Sequence, residues 1–178
     1  MRIIAGYLGG RLFESPGGHR THPMSDKMRG ALFNALGDIT GLTLLDAFAG
    51  TGACSFEAIS RGATSVTAVD IDKKAIQTIR ANAADLKIED SMTIIHANSG
   101  TWSNKNRLVL FDICIFDPPY DGINYNLLEK LVRHLKIGGL AIFSLPPRAD
   151  LRLPADKFEL VSSKSYGDAT LNFYRKTG

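Results

Sequence analysis

Hydrophobic positions along this chain follow two alternating periods, and the alternation predicts its elements. Short apolar runs recur at 43–50 (TLLDAFAG), 65–70 (SVTAVD), 92–98 (MTIIHAN), 111–116 (FDICIF) and 139–146 (GLAIFSLP), and each reads as a strand. Between them, apolar residues three and four apart predict helices over about 52–61, 72–87 and 124–135. Arg61-Gly62 closes the first of these helices, and Lys136-Ile137-Gly138-Gly139 ends the third. Residues 157–167 and 169–176 read as two last strands paired antiparallel. Strands that alternate with helices of roughly 10–16 residues predict an α/β domain on a mostly parallel sheet.

Before residue 40 the pattern is different. RIIA (2–5) and RLFE (11–14) flank a turn-rich GYLGG and read as a small hairpin. SPGGHRTHP reads as loop. Ser25 or Asp26 can cap a helix to about Leu36, with Met28, Leu32, Ala35 and Leu36 at helical spacing. The expected layout is an N-terminal hairpin-helix appendage, 1–40, followed by one doubly wound domain, 41–178.

A length of 178 residues suits this single domain. No apolar run reaches the ~18 residues of a membrane helix, and LVLFDICIF is cut by Asp112. The opening residues lack the apolar stretch of a signal peptide. Cys54 and Cys114 form neither a disulfide framework nor a metal spacing, so buried free thiols in a reducing cytosol are expected. The chain is therefore expected to be soluble, cytoplasmic and metal-free. It is also expected to be monomeric, since it has no heptads. Charge changes the picture more than composition does. The formal excess of +3 lies wholly within residues 1–30, where Arg2, Arg11, Arg20, Lys27 and Arg29 face only Glu14 and Asp26. His19 and His22 stand beside them, and the asymmetry points to an anionic partner.

In open α/β sheets, ligands sit at the carboxyl ends of the strands, where the strand order reverses. The first main strand ends in Asp46-Ala47-Phe48-Ala49-Gly50-Thr51-Gly52, a turn that lets backbone approach a ligand closely. Ser55 occupies the third-glycine position of a dinucleotide fingerprint. Asp46 would oppose a pyrophosphate but welcomes the ammonium and sulfonium of S-adenosylmethionine. Asp70, at the end of the second strand, can accept both ribose hydroxyls of an adenosine. The fourth strand ends in Asp117-Pro118-Pro119-Tyr120. Two prolines make a stiff corner without N–H donors. Asp117 and the Pro118 carbonyl can then accept the two N–H bonds of an exocyclic amino group, and Tyr120 can stack on its base. A base inside a helix cannot reach such a pocket, so the target must be unpaired or flipped out.

These segments resemble the bacterial 16S ribosomal RNA guanine-N2 methyltransferases of the RsmD type over nearly the whole length. The resemblance is carried by RIIAG…GRLFESP, HPMSDKMRGALFN, LLDAFAGTGACSFEAISRGA, AVDID and FDICIFDPPY. It implies a Rossmann-like class I methyltransferase, with seven strands, the last antiparallel, and helices on both faces. It also implies S-adenosylmethionine as cofactor and a guanine of 16S rRNA, in the 30S particle, as substrate. Matched residue by residue, the cofactor contacts fall on Asp46, Phe48, Ala49, Gly50, Gly52, Asp70, Ile71, Asn98 and Ser99. The catalytic motif falls on Asp117, Pro118, Pro119 and Tyr120, and RNA contacts are expected at Arg2, Arg11, Arg20, His22 and Arg29. His22-Pro23-Met24 departs from the family's usual Arg-Pro-Thr. An adenine-N6 methyltransferase and a non-catalytic RNA-binding assembly factor are the alternatives.

Overall fold

The computed structural model describes residues 1–17 and 23–178. Seven strands form one sheet in the order β3-β2-β1-β4-β5-β7-β6. They are β1 (Thr43–Asp46), β2 (Ser65–Asp70), β3 (Met92–His96), β4 (Phe111–Phe116), β5 (Leu135–Leu145), β6 (Phe158–Tyr166) and β7 (Ala169–Lys176). β1 to β5 pair in parallel. β7 runs antiparallel to both β5 and β6. The strand order reverses between β1 and β4, which places a ligand crevice at their carboxyl ends.

Strand periodicity sorts the core into two layers. Leu44, Ile113, Ile115 and Ile142 face one way, against α1 (Asp26–Leu36), α2 (Ala53–Ser60) and α3 (Lys73–Leu86). Their neighbours Leu45, Cys114, Phe116, Ala141, Phe143 and Leu145 face α4 (Ser99–Lys105) and α5 (Tyr125–Leu131). Because both faces are covered, the inner strands read as continuous apolar runs. Both cysteines are buried.

Two boundaries and one helix differ from the sequence expectation. The helix read over 124–135 stops at Leu131, then tightens into a 3₁₀ turn, Val132–His134. β5 begins at Leu135, because Gly138, at φ 83°, carries the chain through KIGG without leaving the sheet. α4 was not foreseen; its residues SGTWSNK carry one large apolar side chain. Trp102 packs at 4.7 Å from the His134 ring, and Ser103 Oγ hydrogen-bonds His134 Nε2 at 2.8 Å. These contacts, rather than amphipathic periodicity, hold α4.

The expected N-terminal hairpin shrinks to one antiparallel bridge, Arg2 with Leu12. The reason is a competing acceptor. Ile4 and Ala5 donate their N–H groups to the Glu57 carboxylate, at 2.8 and 3.1 Å, instead of to a partner strand. Gly6, at φ 84°, lies so close to α2 that a Cβ there would sit 1.9 Å from the Ser60 carbonyl oxygen. Ile3, Leu8, Phe13, Met28, Leu32 and Phe33 join the same core layer as α2 and α3. Phe13 meets Phe56 edge to face at 5.0 Å.

Glu57 is fully buried and ties this region together. It pairs with Arg61 at 2.7 Å and with Arg29 at 3.7 Å. Arg29 is itself fully buried, and donates to Asp26 at 2.9 Å and to the Arg2 carbonyl at 2.7 Å. Removing one partner of a buried ion pair strands the other. Arg29→Met should therefore lower unfolding free energy by roughly 3–5 kcal/mol, read as a fall in the urea midpoint.

Candidate active site

Every parallel strand from β1 to β5 delivers a polar residue at or just past its carboxyl end: Asp46, Asp70, Asn98, Asp117 and Ser144. β1 and β4 are adjacent, with Asp46 beside Ile115, so the glycine turn and the proline corner meet although about 70 residues separate them.

The glycine turn forms as its sequence demands. Gly50 and Gly52 take φ of 53° and 81°, conformations that other residues reach only with strain. Gly52 precedes α2 as its N-cap. Asp70 braces the turn: its Oδ2 accepts the Gly50 N–H at 2.7 Å and its Oδ1 accepts the Asp72 N–H at 2.8 Å. Its carboxylate thus fixes backbone while retaining lone pairs for further donors. Ala49 is buried and Phe48 is half-buried. Ile71 is exposed, and its carbonyl contacts the His96 ring at 2.9 Å.

Asp46 is almost wholly buried, and Ser55 Oγ donates to its Oδ2 at 2.7 Å. Burial pushes its carboxyl up to about 7; the Ser55 bond opposes this, while Asp117 and Asp70 add to it. Ser55, noticed in the sequence only as a missing glycine, is therefore part of the site. Burial also pushes the neighbouring Cys54 thiol well up, with Asp46 adding to the effect, so that thiol stays protonated and unreactive.

Asn98 caps α4, its Oδ1 accepting the Gly100 and Thr101 N–H groups at 2.9 and 3.2 Å. Ser99 is buried and donates to the Ala47 carbonyl, joining the β3 end to the glycine turn.

At the proline corner, Asp117 is half-buried, Pro118 is buried, and Pro119 and Tyr120 are exposed. Burial raises the Asp117 carboxyl to about 6, and the neighbouring Ser144 hydroxyl partly offsets the rise. Tyr120 Oη lies 3.1 Å from Ser144 Oγ. A cavity of about 170 Å³ opens beside the corner, lined by Phe48, Pro118, Pro119, Ile123, Asn124 and Leu127 among others. Its apolar walls and polar rim suit a flat heterocycle. A larger polar groove of about 650 Å³, lined by Asn124, Asn126, Glu129, Asp150 and Arg152, continues outward from it.

The expected RNA contacts scatter. Arg2 and Arg11 are exposed, with Arg2 3.7 Å from Asp26. Arg11 reaches the Asp85 carbonyl, at the end of α3 far from Asp70. Arg20 and His22 lie outside the described residues. Arg29 is a correction: its guanidinium is sealed in the core among Asp26, Glu57 and backbone carbonyls, where no phosphate can reach it. A count of charges along the chain cannot separate such an internal ion from a surface one.

A seven-stranded sheet with a glycine turn and an acid-Pro-Pro-Tyr corner side by side at its carboxyl ends defines a Rossmann-like methyltransferase. Residues 1–175 match the family model described as Conserved hypothetical protein 95, and the chain belongs to that family, the RsmD family. The Ribosomal RNA small subunit methyltransferase D of Buchnera aphidicola is 35% identical over 135 residues, covering 75% of this chain and 69% of that protein. YlbH of Bacillus subtilis, named as a candidate rRNA methyltransferase, is 29% identical over the full length of both chains. The solved structure of yhhF from Escherichia coli, titled as a candidate methyltransferase, superposes with a TM-score of 0.86 at 28% identity, covering 100% and 98% of the two chains.

Gly52 gives the turn its sharpest test. A Cβ there would lie 2.9 Å from the Phe56 ring and 3.0 Å from Ile79. Gly52→Ala should therefore cost at least about 1 kcal/mol, and each kcal/mol should lower the melting temperature by about 2–4 °C in calorimetry.

Proposed function

We propose that this chain transfers the methyl group of S-adenosylmethionine to the exocyclic N2 of a guanine in small-subunit (16S) ribosomal RNA, in the 30S particle. The observation that carries the reading is the Asp117–Tyr120 corner, set against the glycine turn with an apolar, heterocycle-sized cavity beside it. The names of the relatives supply the choice of ribosomal RNA over other nucleic acids.

The residues fit the cofactor. Asp46 is a buried carboxylate whose hydrogen-bond partner is a hydroxyl rather than a cation, and an ammonium group would complete it. Gly50 and Gly52 keep the backbone bare for close approach, Asp70 offers its remaining lone pairs to ribose hydroxyls, and Ile71, Asn98 and Ser99 border the adenine side. When bound, S-adenosylmethionine supplies an electrophilic methyl on a sulfonium.

Asp117 as carboxylate, together with the Pro118 carbonyl, accepts the two N–H bonds of the guanine amino group. Holding both draws the nitrogen towards sp³ geometry and frees its lone pair from the ring. Tyr120 stacks on the base, a contact typically worth ~1–3 kcal/mol. After transfer the nitrogen is acidic and loses its proton readily, so positioning and preset charge, rather than a strong base, supply the rate. Exposed Arg2 and Arg11, with Arg20 and His22, meet RNA phosphates in this reading. The chain works in it as a cytoplasmic monomer, and among the described residues no helix is long and apolar enough to cross a membrane.

Two outcomes are expected. Methyl transfer to unmethylated 30S subunits, followed by nucleoside analysis, should place label in N2-methylguanosine, and Asp117→Ala should cut kcat by about 100- to 1,000-fold. Label in N6-methyladenosine would overturn the substrate, and no loss in Asp117→Ala would overturn the mechanism.

Acid should weaken the enzyme in two steps. A protonated Asp46 cannot hold an ammonium, so cofactor affinity measured by calorimetry should fall as pH drops below about 7. A protonated Asp117 loses an acceptor, so kcat should fall further below about 6.

A further inference from the structure

We propose that Ser144 is a positioning residue for methyl transfer: its hydroxyl accepts from the Tyr120 phenol and donates to the Asp117 carboxylate, holding the acceptor and the stacking ring in one fixed relation. The proposal rests on reading the Asp117–Tyr120 corner as the site of chemistry, and three observations carry it.

First, Ser144 is a hydroxyl where the pattern calls for an apolar side chain. It is buried in β5 between Phe143 and Leu145, both fully buried. A buried hydroxyl without a partner is costly, so its partners matter. Second, its surroundings are the catalytic corner. Phe116 pairs with Phe143 across β4 and β5, so the register sets Ser144 beside Asp117. Ser144 Oγ stands 3.1 Å from Tyr120 Oη. One hydroxyl can accept and donate at once, so the chain Tyr120 to Ser144 to Asp117 has a consistent direction. Third, the corner has few hydrogen bonds to fix it. No helix or strand covers residues 117–124. Among the described residues, the Tyr120–Ser144 contact is the one hydrogen bond that ties 118–123 to the sheet.

The surrounding charges sharpen the role. Asp46 from β1, Asp70 from β2 and Asp168 from the β6–β7 turn act on this cluster, and all are acidic. The Ser144 hydroxyl, set beside Asp117 by the β4–β5 register, favours the Asp117 carboxylate against burial. Losing it raises the proton affinity of Asp117 and frees Tyr120 to rotate.

The test compares Ser144→Ala, Ser144→Thr and Tyr120→Phe with the wild type. Ser144→Ala should keep its cofactor affinity at high pH, lose about tenfold or more in kcat, and move the acid limb of kcat to higher pH. Ser144→Thr, which keeps the hydroxyl, should restore both. A substrate-free reading separates this proposal from the choice of RNA: the Asp117 carboxyl, followed by carbon NMR with labelled aspartate, should titrate at higher pH in Ser144→Ala than in the wild type. An unmoved titration with unchanged kcat overturns the proposal. A wild type that methylates adenine overturns the guanine reading and leaves Ser144 to be judged by the titration. Should Ser144→Ala fail to fold, Tyr120→Phe breaks the same tether from the surface. It should lower kcat while leaving the Asp117 titration near its wild-type position, and an unchanged kcat would overturn the tether.

Discussion

Glu57 sits in the core with a formal charge, and the fold depends on the groups gathered round it. Arg29 and Arg61 neutralise it, and the Ile4 and Ala5 N–H groups fill its remaining lone pairs. A buried carboxylate tolerates its low-dielectric surroundings only when its charge and its lone pairs are both met. Meeting them here recruits the N-terminal segment, α1 and α2 to one point. That is why the hairpin pairing of residues 1–3 with 10–13 ends at Ile3, and Ile4 and Ala5 turn to α2 instead. With the segment pinned at Glu57, its apolar side chains Ile3, Leu8 and Phe13 extend the core layer beneath α2 and α3.

The carboxylates at the other end of the strands follow the opposite rule. Asp46 has a hydroxyl partner, Asp117 lies beside the Ser144 hydroxyl in the register, and the two carboxyls repel each other. Both therefore stay poised between protonation states near neutrality. The fold supplies enough structure to carry this incomplete cluster, because β1 and β4 lie in mid-sheet with neighbours on both sides. Unmet negative charge at the ligand end, and fully met charge at the anchoring end, is the pattern expected where a cationic ligand completes the electrostatics.

Strand periodicity and glycine turns made much of this legible from sequence. Parallel strands covered on both faces read as apolar runs, and the residues that end them carry the chemistry, so Asp46, Asp70 and Asp117 stood out. What escaped depends on contacts between distant segments. α4 is polar along most of its length and is held by Trp102 and Ser103 against His134, a partner about 30 residues away. Ser55 and Ser144 look like ordinary small residues until the strands and helices bring carboxylates beside them. Arg29 misled for a related reason: Asp26 and Glu57 cancel its charge, one from its own helix and one from α2. The one local signal for Ser144 was a polar residue within GLAIFSLP, whose neighbours are all suited to a core.

The position of the basic residues follows from how the N-terminal segment runs along α3. Arg11 contacts Asp85, Glu14 and Asn82 exchange hydrogen bonds, and Gly17 meets Lys74, so the chain climbs α3 from its last turn to its first. The first turn of α3 follows Asp70, at the ligand end of the sheet. Residue 17 has therefore come level with the first turn of α3, whereas Arg11 remains at its last turn. A nucleic acid drawn to Arg11 alone would lie far from Asp117.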